Sequence, residues 1–213
     1  MSSKVETQSK KIFITGIGTD VGKTIASAIV TEALQADYFK PVQAGDLEYS
    51  DTDKVKELVS NSTSKFHSNS YALQTPMSPH AAADIDEVTI DLKNIKLPKT
   101  KNDIVIEGAG GLLVPLNDTQ TIVDIIRPEY KVVVVSRHYL GSINHTLMTL
   151  QILQEKGFSP SLIFSGEEHK TTEDIIVKMS GCNVIGRIDN EPYFDNMVVK
   201  EYAELFKEKL EQI

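Results

Sequence analysis

The segment from Gly16 to Thr24, with the sequence Gly-Ile-Gly-Thr-Asp-Val-Gly-Lys-Thr, is rich in glycine and ends in Gly-Lys-Thr. Glycines let the backbone approach an anion closely, while a lysine and a hydroxyl at the start of a helix bind phosphate oxygens and Mg²⁺. The segment therefore predicts a loop that binds a nucleoside triphosphate, with Lys23 on the outer phosphates and Thr24 on the metal. Its spacing is a variant of G-x-x-x-x-G-K-[ST], because Ile17 occupies the position of the first glycine.

A carboxylate, Glu107, directly follows the apolar run Ile104-Val105-Ile106 and precedes Gly108-Ala109-Gly110-Gly111. At the C-terminal end of a parallel strand, a carboxylate faces the crevice in which doubly wound folds bind ligands, and the glycines allow close approach of the backbone. We expect Glu107 to be a second ligand of Mg²⁺. The alternative is a solvated glutamate before a glycine-rich turn.

A further carboxylate for the metal could come from Asp51 or Asp53. Hard oxygen ligands suit Mg²⁺, which keeps several waters in its shell. Either aspartate could instead be the N-cap of a short helix, predicted from Asp53 to Leu58, because aspartate is common at that position.

Two other features have a functional and a structural interpretation. Lys40 lies within the apolar run Tyr38-Phe39-Lys40-Pro41-Val42, where a charge is costly unless it is paired or faces a ligand; an edge-strand lysine that reaches solvent is the alternative. The segment from Tyr139 to His145 opens a predicted helix whose N–H groups could bind a carboxylate, although Ser142 could simply cap that helix.

These residues require a framework, and the apolar pattern predicts one. Continuous β-branched runs alternate with helix-like segments, which is typical of a parallel sheet buried on both faces. We therefore predict a doubly wound, mostly parallel α/β fold of the P-loop NTPase type. The strands are expected at 12–14, 38–42, 104–106, 132–135, 162–164 and 184–185, and the helices near 24–36, 53–58, 142–156, 172–179 and 198–210. Residues 60–101 fit this rhythm poorly and are predicted to form one or two short helices and long loops.

The composition limits the class of protein. A chain of 213 residues with 40% hydrophobic and 24% charged residues suits one compact domain, predicted at 11–213 after a flexible polar lead-in at 1–10. The net charge of −8 argues against a nucleic-acid-binding face. With Cys182 as the single cysteine and no long apolar run, we expect a soluble cytoplasmic protein without a disulfide or a membrane partner.

Several motifs together, in their order and separations, resemble those of the dethiobiotin synthetase family. The resemblance runs from about Lys11 to Arg187. The motifs are Gly16 to Thr24, Lys40-Pro41-Val42, Ser50-Asp51, Pro76-Met77-Ser78-Pro79-His80, Glu107-Gly108-Ala109-Gly110-Gly111 and Leu140-Gly141-Ser142-Ile143-Asn144-His145.

The resemblance implies a homodimeric enzyme that joins CO₂ to 7,8-diaminononanoate with MgATP and closes the ureido ring of dethiobiotin. The reaction would pass through a carbamate and a carbamic-phosphoric anhydride. It implies that the distant carboxylate of the substrate binds at the helix opening across the dimer interface.

The resemblance also implies roles for individual residues. Catalysis falls to Thr19, Lys23 and Lys40; nucleotide binding to Asp20, Val21, Gly22, Lys23, Thr24, Ile25, Asp51, Glu107, Gly108, Ala109, Gly110 and Ser165; magnesium to Thr24, Asp51 and Glu107; and substrate binding to Ala44, Gly111, Gly141, Ser142, Ile143 and Asn144.

The chain departs from the family pattern at three places. Ala44 stands where many relatives carry a hydroxyl that touches the diamine, so this contact is lost or is replaced by Gln43 or Gly45. Ser165-Gly166 replaces an asparagine that reads adenine, and Ile188-Asp189-Asn190 lacks the proline common there. The preference for the nucleotide base therefore stays open.

Two other functions compete with this interpretation. A MinD- or ParA-like switch ATPase shares the fold and loop style, but the acidic charge and the mixed Glu and Lys of residues 200–213 do not favour a membrane or DNA partner. A related ligase of the same fold with another amine substrate is the second alternative.

Overall fold

The computed structural model describes residues 9–213, which form alternating strands and helices. The strands are β1 (Lys11–Gly16), β2 (Asp37–Phe39), β3 (Val42–Ala44), β4 (Phe66–His67), β5 (Tyr71–Leu73), β6 (Ile104–Gly111), β7 (Lys131–Arg137), β8 (Ser161–Ser165) and β9 (Asn183–Ile188). The helices are α1 (Lys23–Leu34), α2 (Asp51–Leu58), α3 (Pro79–Ile85), α4 (Ser142–Glu155), α5 (Lys170–Ser180) and α6 (Asn196–Gln212), with 3₁₀ turns at Leu92–Asn94 and Ile122–Ile125.

Seven of the strands in this range form one sheet in the order β4-β2-β6-β1-β7-β8-β9, and every pairing in it is parallel. Side chains alternate between the faces of a strand. In β1, Ile12 and Ile14 belong to a core shared with α1, α2 and α6, whereas Phe13 belongs to the opposite core with α3, α4 and α5. The predicted doubly wound fold is confirmed.

The prediction of one strand from Tyr38 to Val42 is wrong, because this segment forms two separate strands. Lys40 is therefore not within a strand, as predicted, but between two strands. β2 ends at Phe39, and β3 begins at Val42 and pairs with β5 in a separate two-stranded parallel sheet. Pro41 gives the physical reason, because proline has no N–H with which to continue a central ladder. Lys40 therefore lies at the point where the chain leaves the main sheet.

The glycine run after Glu107 is part of a strand and not a turn. β6 continues to Gly111, so Glu107 lies in the middle of the strand opposite Ile14 of β1. Gly111 pairs with Gly16 after a register irregularity in β1. The end of β6 therefore runs beside the first residue of the phosphate-binding loop.

Helix α2 begins earlier than predicted, at Asp51, and its N-cap is Ser50. The hydroxyl of Ser50 accepts from the N–H of Asp53, while the Asp53 carboxylate accepts from the Ser50 N–H at 2.9 Å. This capping box occupies Asp53 and leaves the carboxylate of Asp51 available to other groups. Neither aspartate is the N-cap.

Residues 60–101 contain the helix α3 and a 3₁₀ turn, as predicted, together with the short strands β4 and β5, which the sequence did not predict. Of the predicted lead-in at 1–10, residues 1–8 lie outside the described residues. Lys10 is fixed to the domain, because its N–H donates to the Asp103 carboxylate at 2.7 Å and its ammonium donates to the carbonyl of Glu211.

No helix in the described range combines the length and the apolar character that crossing a bilayer requires.

Asp37, the first residue of β2, is a buried carboxylate that holds the start of this strand. It accepts hydrogen bonds from the Lys65 N–H at 3.1 Å and the Asn102 amide at 3.0 Å, and His67 Nε2 lies 2.9 Å away. Burial by itself favours the neutral acid, but these hydrogen bonds outweigh it and lower the Asp37 pKa below its ordinary 3.8.

We expect Asp37→Asn to lower the free energy of unfolding by about 1–3 kcal/mol at neutral pH, because buried donors lose a charged acceptor. Since the folded-state pKa is depressed, the stabilisation is present above pH 3.8 and is lost as the pH falls through the folded value. Urea unfolding at several pH values should therefore show a gap between wild type and variant that shrinks in acid. The exposed Asp118→Asn is the control, and a gap that stays constant with pH would contradict the prediction.

Candidate active site

The glycine-rich loop connects β1 to α1, and Gly22 is the residue that caps the helix. Gly22 has φ 93°, a left-handed conformation that favours glycine, and a Cβ placed there would lie 2.9 Å from the Ser165 hydroxyl. At Gly16, a Cβ would lie 2.5 Å from Val21. Gly16 and Gly22 thus lie where a side chain would collide with the loop itself or with β8.

Lys23, the first residue of α1, points back across the loop. Its ammonium donates to the carbonyl of Gly18 at 2.7 Å, and the side chain is buried. Burial lowers the Lys23 pKa to about 8, although the nearby Glu107 carboxylate acts in the opposite direction. The Lys23 ammonium thus lies against the loop, and in loops of this type the lysine contacts the outer phosphates of a nucleotide.

Lys40 lies at the centre of a buried charge cluster. Its ammonium pairs with the carboxylate of Asp51 and donates to Oε1 of Glu107 at 3.0 Å. The same Oε1 accepts from the Thr24 hydroxyl at 3.1 Å, and Oε2 accepts from the Tyr38 hydroxyl at 2.9 Å. Elements far apart in sequence thus converge on Glu107.

The pairing favours the charged forms of Lys40 and Asp51. Burial would lower the pKa of Lys40, but Glu107 and Asp51 outweigh it and raise that pKa. Burial would raise the pKa of Asp51, but Lys40 outweighs it and lowers that pKa. Only 5% of Lys40 is exposed, which excludes the alternative of a lysine that reaches solvent.

The predicted magnesium ligands fit the preferences of that ion. All three offer hard oxygen atoms: the carboxylates of Asp51 and Glu107 flank the Lys40 ammonium, and the Thr24 hydroxyl donates to Glu107. Within residues 9–213 no group of three or more His, Cys, Asp or Glu side chains is placed to hold a metal ion. A shell with few protein oxygens, completed by phosphate oxygens and waters, is the type that Mg²⁺ uses.

A cleft of about 890 Å³ opens above the loop and the charge cluster. Most of the predicted site residues line it, and the segment from Pro76 to Pro79 closes another side. The predicted residues on its wall are Thr19, Asp20, Gly22, Lys23, Thr24, Ile25, Lys40, Ala44, Asp51, Glu107, Ala109 and Gly110.

Some predicted nucleotide contacts lie outside the wall of the cleft. The side chain of Val21 is buried in the core, and Ser165 packs against Gly22. Gly108 is enclosed by the core, because a Cβ there would lie 3.2 Å from both Ile122 and Phe13. These three residues pack behind the loop and β6 and do not face the cleft.

The predicted carboxylate-binding residues are at the start of α4, away from this cleft. Gly141, with φ 103°, is the N-cap, so the alternative that Ser142 caps the helix is wrong. Ser142 is buried, and its N–H donates to the Tyr139 carbonyl at 2.9 Å. Ile143 and Asn144 are exposed, and none of the residues from Gly141 to Asn144 lines the cleft.

A second cavity, of about 390 Å³, lies between the loop and α4. Thr19 and Gly111 line it on one side, and His145, Met148 and Thr149 line it on the other. Large apolar side chains are exposed at residues that line this cavity or lie close in sequence to those that do. They are Leu113, Leu140, Ile143 and Met148. The predicted substrate residue Gly111 thus faces this cavity and not the larger cleft.

Several residues of the site were missed by the sequence analysis, and four of them make informative contacts. Lys54 lies 3.3 Å from Asp51 Oδ1 at the i+3 position of α2, a spacing that could have been noticed. Arg137, at the end of β7, donates to the Asp20 carbonyl at 3.2 Å. Phe194 lines the cleft, and Tyr38 lies behind Glu107; both depend on long-range packing for which the sequence gives no local signal.

Comparison with known folds places this architecture in a broad class. A family model described as an AAA domain matches residues 10–198. The MinC:MinD cell division protein complex of Aquifex aeolicus has a chain with a TM-score of 0.58 at 15% identity, covering 96% of both chains. A plasmid partition protein of Borrelia burgdorferi bound to AMPPNP gives 0.57 at 12% identity, covering 96% of this chain and 100% of that one. The glycine-rich loop and the parallel sheet are those of a P-loop NTPase.

Curated relatives narrow this class to one family. A protein of Christiangramia forsetii named ATP-dependent dethiobiotin synthetase is 61% identical over 96% of this chain and 99% of its own length. A protein of Cytophaga hutchinsonii with the same name is 48% identical over 91% and 95%. The chain belongs to the dethiobiotin synthetase family, whose members are ATP-dependent cyclo-ligases.

We expect Lys23→Ala to weaken binding of a non-hydrolysable ATP analogue by roughly 10- to 100-fold, because hydrogen bonds to charged groups are worth about 1.5–3 kcal/mol. Isothermal titration calorimetry with MgCl₂ measures the change. Lys56→Ala removes an exposed lysine on α2 and serves as the control. Unchanged affinity in Lys23→Ala would remove this lysine from the nucleotide site.

Proposed function

We propose that this enzyme catalyses the ring-closing carboxylation of 7,8-diaminononanoate with CO₂ and ATP, forming dethiobiotin, ADP and phosphate. The observation that carries the proposal is the buried Lys40 ammonium, held between Asp51 and Glu107 on the wall of the cleft that Lys23 also lines. The names of the relatives support the choice of product.

In the first step, one amine of the substrate adds to CO₂ and loses a proton, which gives a carbamate. A carbamate oxygen attacks the γ-phosphorus of ATP and displaces ADP, which leaves a carbamic-phosphoric anhydride. Such a transfer needs alignment and charge neutralisation more than covalent help from the protein. Lys23 would neutralise the β- and γ-phosphates, and Lys40 the carbamate and the developing phosphoryl charge, while Thr19 and the backbone of Asp20, Val21 and Gly22 line the path.

In the second step, the other amine attacks the anhydride carbonyl, expels phosphate and closes the five-membered ureido ring. The two amines must lie near the transferring phosphate throughout, and Ala44 and Gly111 would border them. Ala44 lines the larger cleft and Gly111 the second cavity. Thr19 lines both, which supports a substrate that extends from one to the other.

When bound, Mg²⁺ would supply positive charge at the phosphate oxygens. Thr24, Asp51 and Glu107 are the residues that would hold it. Ile25, Glu107, Ala109 and Gly110 would complete the contacts of this chain with the nucleotide, with Ser165 beside Gly22. We propose ATP as the nucleotide on the strength of the names of the relatives.

We further propose that the active enzyme is a homodimer. The start of α4 in one subunit would bind the carboxylate of a substrate held in the cleft of the other subunit, because the N-terminus of a helix favours anions. The residues concerned are Gly141, Ser142, Ile143 and Asn144. The support is that this turn lies outside the larger cleft of its own chain. Apolar side chains exposed there, among them Leu140 and Met148, fit an interface between subunits.

A nucleotide-switch ATPase of the MinD or ParA type is the alternative from another class, and a ligase for a different amine is the alternative within this one. The fold resemblance to MinD does not distinguish a switch ATPase from a ligase, because the sequence identity is only 15% and a shared fold does not imply a shared function. The net charge of −8 and the absence of a basic stretch at residues 200–213 favour the ligase.

The deciding experiment measures phosphate release from ATP with and without diaminononanoate and bicarbonate. We expect release to require both, with dethiobiotin detected by mass spectrometry. Release that ignores both substrates and rises with lipid or DNA would favour the switch ATPase, and release that depends on another amine would favour the other ligase.

In the same assay, Lys40→Ala should lower turnover by about 100-fold or more, because it removes a fixed positive charge from the site of phosphoryl transfer. Lys56→Ala should retain turnover. Near-normal turnover of a folded Lys40→Ala protein would mean that Lys40 only balances the charges of Asp51 and Glu107.

Leu140→Asp should shift the protein from dimer to monomer, since a charge in an apolar interface must lose its water. Sedimentation velocity gives the state of assembly. Leu205→Asp changes another exposed leucine, on α6, and should remain dimeric. A dimeric Leu140→Asp protein, or a monomeric wild type, would contradict this interface.

A further inference from the structure

The hydroxyl of Tyr38 is the hydrogen-bond partner of the Glu107 oxygen that points away from the cleft. Oε2 of Glu107 accepts from Tyr38 at 2.9 Å, whereas Oε1 accepts from Thr24 at 3.1 Å and Lys40 at 3.0 Å. Tyr38 is fully buried and does not line the cleft. One carboxylate oxygen thus faces the site while the other is held by the protein interior.

We propose that Tyr38 is a positioning residue for the metal site, which fixes the plane of the Glu107 carboxylate so that Oε1 is presented to Mg²⁺. The inference rests on the proposed role of Glu107 as a metal ligand. It goes beyond that role because Tyr38 would touch neither nucleotide, metal nor substrate and would act only through Glu107.

The carboxylate needs such a partner for two physical reasons. The terminal torsion of a glutamate side chain is broad and roughly two-fold, so packing alone fixes its plane poorly. Glu107 is also only 1% exposed, and a buried carboxylate oxygen without a donor is costly. A hydroxyl on Oε2 meets both needs and leaves Oε1 for the site.

The sheet brings the two residues together. Tyr38 of β2 pairs in register with Val105 of β6, and Glu107 lies two residues further along β6. Because side chains alternate along a strand, Val105 and Glu107 project to the same face. Tyr38 and Val105 share the core that α1 covers, so the phenol reaches Glu107 from the protein interior, whereas Thr24 and Lys40 line the cleft.

The alternative is that Tyr38 is only a core residue. Its ring lies 6.4 Å from that of Phe66 between centroids, and packing of this kind would suit phenylalanine equally well. Tyr38→Phe therefore separates the two roles, because it keeps the ring and removes only the hydroxyl.

The experiment measures Mn²⁺ affinity by electron paramagnetic resonance in the presence of a saturating non-hydrolysable ATP analogue. Mn²⁺ is the probe because it takes the oxygen ligands that Mg²⁺ takes. The proteins are wild type, Tyr38→Phe, Glu107→Gln and the double variant. Tyr71→Phe is the matched control, since its hydroxyl bonds to the Asp91 backbone and the residue does not line the cleft.

We expect Tyr38→Phe to weaken Mn²⁺ binding by roughly 10- to 100-fold, the range found when a partner of a metal ligand is removed. Tyr71→Phe should bind as wild type. In the Glu107→Gln background, Tyr38→Phe should cause no further loss, because its effect passes through Glu107. In turnover, the Mg²⁺ concentration for half-maximal rate should rise while saturating Mg²⁺ restores most of the rate.

The outcomes separate this inference from the proposed function. If Glu107→Gln weakens Mn²⁺ binding but Tyr38→Phe does not, the positioning role is overturned and the metal site stands. If Glu107→Gln has no effect, both are overturned. An additional loss from Tyr38→Phe in the Glu107→Gln background would mean that Tyr38 acts by general packing.

A second variant covers the case in which Tyr38→Phe does not fold. Incorporation of 4-aminophenylalanine at position 38 keeps a donor at the same end of the ring. Folded protein with Mn²⁺ affinity within about three-fold of wild type would support the inference, and any weaker affinity would overturn it.

Discussion

The site depends on one buried arrangement, the Lys40 ammonium between the carboxylates of Asp51 and Glu107. Charges removed from water are stable only with partners, and removing one partner typically costs about 3–5 kcal/mol. The three residues come from separate parts of the chain, so this requirement ties β6, the residue that follows β2 and the start of α2 together. The pairing of these charges therefore helps to fix the shape of the cleft wall, together with apolar packing.

The position of Glu107 in the middle of β6 gives the cluster its rigidity. Glu107 pairs with Ile14 of β1, and the residues just before it in β6, from Ile104 to Ile106, pair with β2. The loop that begins after β1 starts next to the same strand, since Gly16 pairs with Gly111. The distance between Lys23 and the Glu107 carboxylate is thus set by sheet register and not by a flexible turn.

Much of this could be predicted from the sequence, because the loop, the apolar strands and a lysine in an apolar context are local signals. The choice between Asp51 and Asp53 was not predictable, since it depends on Ser50 as the cap. The length of β6 was misjudged because glycines resemble a turn when the neighbouring strand is unknown. The contact between Tyr38 and Glu107 arises from pairing across 69 residues, which no local pattern reports. The roles of the residues remain predictions.

The hydrogen bond from Lys23 to the Gly18 carbonyl has a consequence for how a nucleotide enters. The loop supplies its own substitute acceptor, so the ammonium is never left alone in a buried position. With the proposed role of Lys23, arrival of a phosphate is an exchange of acceptors, in which the ammonium leaves the Gly18 carbonyl for a charged oxygen. The gain in such an exchange is the difference between two hydrogen bonds and not the whole of one.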